Sequence, residues 1–156
     1  MKRFLIATLA TVALGTAGAQ SIEVKDAWAR ATVAGQKATG AFMKLTAKND
    51  TQLVGVSSAV AGISEVHEMK MDAGVMKMRA VEGGLSLPAG KTVELKPGGY
   101  HVMLMDLKSP LPKDTTVVIT LIFKDAKGVE SKLDVNLPVS AMAPAGGMGH
   151  STLHKH

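Results

Sequence analysis

The chain has 156 residues, enough for one domain with short extensions. It carries 18 Lys and Arg against 13 Asp and Glu, a net charge of +5 with no basic stripe, and its one Trp and one Tyr offer little for bases to stack on, so nothing supports a nucleic-acid-binding surface. There is no cysteine, which excludes a disulfide framework and any metal site built on thiolates.

Residues 1–19 read as an export leader. Lys2 and Arg3 supply a positive start, "LIATLATVALG" is an apolar run too short to span a bilayer comfortably, and Ala17 and Ala19 are the small residues of a cleavage site. The mature chain is then expected to begin near Gln20, to be periplasmic, and to keep no membrane-spanning segment.

Residues 20–139 read as one β domain. Short β-branched runs, punctuated by Gly, Pro, Asn and Asp, predict strands near 22–33, 40–48, 53–60, 64–71, 75–81, 92–96, 101–107, 115–124 and 130–137. "KND", "DAG", "PAG", "PGG" and "DAKG" supply turns between them. Nine short strands so closely spaced point to an all-β sandwich of Ig-like or cupredoxin-like type, with a β-barrel as the next choice. "TTVVITLIF" (115–123) is the most continuously apolar stretch and is expected to be a central strand. From residue 140 the composition turns to Gly, Ala, Pro, Ser and Thr, which predicts a flexible tail over 140–156. That tail holds Met142, Met148, His150, His154 and His156.

The chemistry of the domain lies in its methionines. On a strand over 64–71, side chains alternate between faces. His67, Met69 and Met71 then share one face, and Glu68, Lys70 and Asp72 share the other, which reads as the wet one. The "DAG" turn makes the next strand a hairpin partner, with Met76 and Met78 on one face and Lys77 and Arg79 on the other. In "HVMLM", His101, Met103 and Met105 alternate with Val102 and Leu104. Met is adaptable packing material, and any one of these residues is an ordinary core residue by itself. Six methionines between residues 69 and 105, against three Phe in the whole chain, make an unusual core. It would also leave the imidazoles of His67 and His101 among thioethers, with polar nitrogens to satisfy.

A soft-metal site accounts for the set. Thioether sulfur and imidazole nitrogen together suit Cu(I), are poor ligands for Mg or Ca, and offer zinc little. His101 and Met103 point the same way from one strand, and His67 with Met76 or Met78 approaches from the hairpin, making four ligands from three strands. A blue-copper electron-transfer site needs a cysteine thiolate, so that role is excluded.

His67, ten intervening residues, Met78, and then His101-Val102-Met103 resembles the motif of the periplasmic copper chaperones called PCuAC. "VKDAWARAT", "VHEMKM", "VMKMR" and "LPAGKTVELKPGGYHVMLMDLKSPL" are similar to that family as well, so the likeness covers most of residues 22–137. One departure is visible. Residues 79–100 separate Met78 from His101, one more than the motif's twenty-one, and "VEGGLSLPAG" is the expected place of an insertion in a loop. The spacing keeps Met76 open as a substitute for Met78.

The resemblance implies a cupredoxin-like β fold that binds one Cu(I) through His67, Met78, His101 and Met103, with Met69 as a lower-ranked candidate. It implies delivery to the dinuclear Cu(A) centre in the copper domain of cytochrome c oxidase subunit II, assisted by an Sco-type thiol protein. The tail resembles the Met/His-rich extensions of some members. Met148, His150, His154 and His156 would form a second site there, its imidazoles suited to Cu(II). A chaperone with a defined acceptor and a periplasmic copper buffer without one are the two functions to separate. No Ser/His/Asp set, phosphate loop or paired catalytic carboxylates point to an enzyme.

Overall fold

The structure is a computed structural model that describes residues 22–144, so the expectations for the leader and for the metal-binding tail lie outside the described residues. Ten strands follow one another: β1 (Ile22–Arg30), β2 (Ala38–Ala47), β3 (Thr51–Ser57), β4 (Ala61–Asp72), β5 (Val75–Ala80), β6 (Leu85–Leu87), β7 (Thr92–Leu95), β8 (His101–Leu107), β9 (Thr116–Asp125) and β10 (Glu130–Ser140). They form two sheets. One runs β5-β4-β8-β2-β1, with β7 also paired to β2; the other runs β10-β9-β3-β6. A short parallel pairing of β1 with β10, Ala29 opposite Val139 and Arg30 opposite Ser140, joins the two. The path ends at β5 and β6, so the sheet stays open and does not close into the barrel held as second choice.

Alternation builds the core. Val117, Ile119, Leu121 and Phe123 of β9 point inward and are buried, while Thr116, Val118 and Lys124 are exposed. β9 lies between β10 and β3, the interior position expected of the most apolar segment. Facing it from the other sheet are Ala41, Met43, Leu45, Val102 and Leu104, all essentially inaccessible to solvent. Together these residues form one continuous core without a disulfide.

Two expectations need correction. The segment read as an insertion loop contains β6, whose Leu85 and Leu87 are buried and which pairs antiparallel with Thr51–Leu53. Three residues are too few to display an alternation, and the positive φ of Gly83 (78°) and Gly84 (93°) turns the chain into the strand. The second correction concerns which face is wet. Val66, on the Glu68 face of β4, is buried in the core, and the His/Met face is the outer face of the sheet. β4 and β5 then run on past the edge of the core, where Lys70 and Asp72 are exposed on one face and Met71 and Met76 on the other. Among the described methionines only Met43 is a core residue, so packing does not explain the rest.

The β4–β5 hairpin closes on Ala73 (φ 49°) and Gly74 (φ 80°), the pair of left-handed residues that a two-residue type I′ turn requires. Alanine is strained there, whereas Asn-Gly is the favoured pair. Ala73→Asn is expected to stabilise the protein by about 0.5–1 kcal/mol. The check is a higher urea midpoint with an unchanged slope.

Candidate metal centre

The outer face of the first sheet brings the sequence candidates together by register. His67 pairs with His101 across β4 and β8, Glu65 with Met103, and Met69 with Met78 across β4 and β5. Residues opposite each other in an antiparallel pair project to the same side, so these six side chains share one surface. Beyond β8, Gly40 of β2 pairs with Met103. The loop between β7 and β8 arches over this ground, with Pro97 and Gly98 (φ 82°) at its crest.

Met69, Met78, His101 and Met103 line one cavity of about 320 Å³, closed on its far side by Arg30, Gln36, Thr39, Gly40 and Phe42. His101 is buried, and its Nδ1 lies 2.9 Å from the carbonyl oxygen of Gly99. A carbonyl only accepts, so Nδ1 carries the hydrogen and donates it, and in the neutral ring Nε2 is left with a bare lone pair. That Nε2 lies 3.3 Å from Sδ of Met78. Neither atom has a hydrogen to give the other. Two lone pairs aimed at one another across this distance are the arrangement expected of two donors for a soft cation.

His67 has the opposite tautomer. Its Nε2 lies 2.8 Å from Oε2 of Glu65, which accepts the ring hydrogen, so in the neutral ring Nδ1 carries the lone pair. Nδ1 is buried and has no hydrogen-bond partner among the described residues. A buried acceptor without a donor is costly unless a ligand completes it, and a metal would do so. His67 stands beside the cavity rather than in its lining, its ring centroid 6.0 Å from that of His101. The carboxylate–imidazole pair is the outer-shell device that fixes ring orientation in metal-binding histidines. Glu65 was not singled out from the sequence, although its place two residues before His67 on one strand face was there to be read.

The remaining candidates separate. Met76 pairs with Met71 toward the hairpin turn and does not line the cavity, and Met105 pairs with Ile63 farther along β8. Met69, ranked below the four, lines the cavity with three of them. Among the described residues no three of His, Cys, Asp and Glu are grouped to hold a metal ion, so a metal held here depends on sulfur. Met142 is described and exposed, and Met148, His150, His154 and His156 lie outside the described residues.

An aromatic wall supports the far side. Phe42 lies against Trp28, with ring centroids 4.8 Å apart, and 6.4 Å from the His101 ring, while the Arg30 guanidinium sits 5.5 Å over its face. A Cβ at Gly40 would come within 2.8 Å of Cζ of Phe42. Gly40→Ala is therefore expected to push the ring aside and cost about 1–3 kcal/mol. Denaturation would measure the loss, and a shift in the emission of Trp28, the chain's one tryptophan, would report the displaced ring.

Residues 22–139 match the family described as putative lipoprotein LpqE-like. The chain is 36% identical over 107 residues to a putative lipoprotein of Leifsonia xyli subsp. xyli, covering 69% of this chain and 64% of that one. It is 36% identical over 103 residues to a protein of Rickettsia prowazekii, covering 63% and 57%. The chain thus spans less than two thirds of the length of these relatives. Among solved structures it is similar to the copper-bound PCuAC domain from PmoF2, with 28% identity, a TM-score of 0.58, and coverage of 78% of this chain and 93% of that one. It is also similar to the solution structure of apo-DR1885 from Deinococcus radiodurans, with 30% identity, a TM-score of 0.56, and coverage of 90% and 96%. The resemblance to PCuAC domains drawn from the sequence is thereby borne out, and so is the cupredoxin/Ig-like β fold. With the family match running from the first residue of β1 into β10, the chain belongs to the LpqE-like family and has the fold of the PCuAC domains.

Proposed function

We propose that this protein is a periplasmic metallochaperone that carries Cu(I) and delivers it to the Cu(A) centre of cytochrome c oxidase subunit II, with an Sco-type thiol protein taking part. The observation that carries the reading is the 3.3 Å approach of the bare His101 Nε2 to Sδ of Met78. Met103 and Met69 line the same cavity, and the unpartnered Nδ1 of His67 stands beside it. The ligands assigned are His67, Met78, His101 and Met103, with Met69 in reserve. Thioether and imidazole are neutral, soft-to-borderline donors, which favours Cu(I) over Zn, Mg or Ca. The copper-bound state of the similar PmoF2 domain supports a copper cargo.

The same chemistry supports delivery. A thiolate-bearing acceptor holds copper more strongly than neutral ligands do. Met78 is half exposed, so an incoming ligand can reach the ion from solvent without unfolding the domain. The thioether and imidazole lining of the cavity favours binding and exchange over nucleophilic chemistry, which supports reading the protein as a carrier rather than an enzyme.

Titration with Cu(I) against a competing chelator is expected to give one tightly bound ion in the described domain. His101→Ala and Met78→Leu should each weaken it by at least about tenfold, the scale already known for losing an outer-shell partner. Met76→Leu should leave affinity near wild type, because Met76 is off the cavity. A reversed Met76/Met78 pattern would move the assignment. Incubation of the loaded protein with the reduced apo oxidase domain and an Sco-type protein tests delivery. Copper that stays behind would make the protein a periplasmic buffer instead.

The tail is assigned a second, Cu(II)-accepting site through Met148, His150, His154 and His156. Ser140 must be kept in any truncation, since its carbonyl accepts the N–H of Ala31 at the β1–β10 seam. A chain ending at Pro144 is expected to take up less Cu(II) than the whole chain at neutral pH. Equal uptake would leave the tail without a metal role.

A further inference from the structure

Met71 and Met76 are left over by the site. They are 62% and 45% exposed, belong to no core cluster, and do not line the His101 cavity. They lie opposite one another near the end of the β4–β5 hairpin. The ladder's parity makes that opposition close. Val81 donates its N–H to the carbonyl of Val66, so this pair is hydrogen-bonded. Bonded and non-bonded pairs alternate along an antiparallel ladder. Met69–Met78 and Met71–Met76, three and five steps farther on, are therefore both non-bonded pairs. In agreement, Met69 turns its N–H away from β5 to the carbonyl of Gly99. Non-bonded positions bring opposed side chains nearest, with Cα atoms about 4.5 Å apart.

The face is also chemically uniform. Lys70, Asp72, Lys77 and Arg79 alternate with these methionines and project to the other side, where Lys77 pairs with Asp72 at 2.8 Å and Arg79 with Glu68 at 2.6 Å. What remains outward on the His/Met side is two rungs of opposed methionines about 6.6 Å apart along the strands. The inner rung contains Met78, which touches His101. Exposed apolar side chains at a hairpin end gain little by burial, and what methionine adds there over leucine is its sulfur. Two facing thioethers suffice for a soft monovalent cation, which accepts two-coordinate binding.

We propose that the Met71–Met76 pair is a further, outer site for a soft monovalent cation, from which the ion passes to the Met69–Met78 rung and on to His101. That the natural ion is Cu(I) rests on the function proposed above; the binding of a soft cation by the pair does not. The ion keeps its charge throughout, and only thioether donors are exchanged.

The test uses the whole chain with 13C-labelled methionine methyls and Ag(I) as a soft, redox-inert probe. The first equivalent is expected to shift the Met78 and Met103 methyls, and further Ag(I) to shift Met71 and Met76 together, while Met148 reports the tail separately. In Met71→Leu/Met76→Leu the inner response should persist, and withdrawal of Ag(I) by a small thiol should be slower than from wild type. In His101→Ala the outer pair should still shift although the inner response is weakened, which separates failure of the inner site from failure of this proposal. Met71 and Met76 methyls that stay unmoved at excess Ag(I), or that move one without the other, would overturn it, as would an unchanged withdrawal rate in the double variant.

Discussion

The carbonyl of Gly99 ties the site together. It accepts the Nδ1 hydrogen of His101 at 2.9 Å and the N–H of Met69 at 3.2 Å, so both of its lone pairs are used. One bond selects the tautomer that leaves Nε2 bare, and the other anchors the β4–β5 hairpin beside the ring. The loop holding this carbonyl is itself fixed: Lys96 donates to Tyr100, Gly99 donates to Lys96, and Gly98 takes the left-handed turn. β7 and β8 both pair with β2, one after the other along the same edge, which leaves the loop between them no course but outward over the cavity. The candidate donors on three strands thus depend on one short arch.

The fold divides its two tasks between the faces of one sheet. Val102 and Leu104 pack inward against β9 and its neighbours, while His101 and Met103 stand outward from the same strand. A rigid core beneath and soft donors above allow the donors to be exposed without loosening the domain. The absence of cysteine fits this arrangement, because thioethers and imidazoles cannot be closed into a disulfide in an oxidising setting. Phe42, held between Trp28 and Arg30, closes the cavity on the side away from the hairpin.

Local periodicity made much of this legible. The alternation in "HVMLM" correctly put His101 and Met103 on one face, and "DAG" correctly marked a hairpin carrying Met69 opposite Met78. What lay beyond the sequence depends on pairing between distant strands. Which of Met76 and Met78 lies near His101 turns on the register of β4 against β8, His67 opposite His101, which sets how far along the hairpin the ring reaches. β4 and β8 are not joined by a tight turn that would fix that register locally. The wet face was misread for a related reason: Val66 is one apolar residue among charges, and only its contact with β8 shows that it points to the core. β6 was missed because three residues carry too little pattern. Glu65 and Phe42 were overlooked because neither is unusual until His67 and His101 stand beside them.

The parallel seam between β1 and β10 has a kinetic consequence. It joins residues 29–30 to residues 139–140, so the two sheets are stitched by segments from opposite ends of the domain. Hairpins such as β4–β5 and β9–β10 close over short loops and form on the microsecond scale. The stitch must wait for a loop of almost the whole domain to close, an entropic delay that makes such topologies slow folders. The strands bearing His67, Met78 and His101 all lie between the stitched ends, within residues 61–107, and pair among themselves. A chain still emerging can therefore assemble the strands of the candidate site before β10 arrives to lock the sandwich, and it is β10 that decides when the domain becomes a finished fold.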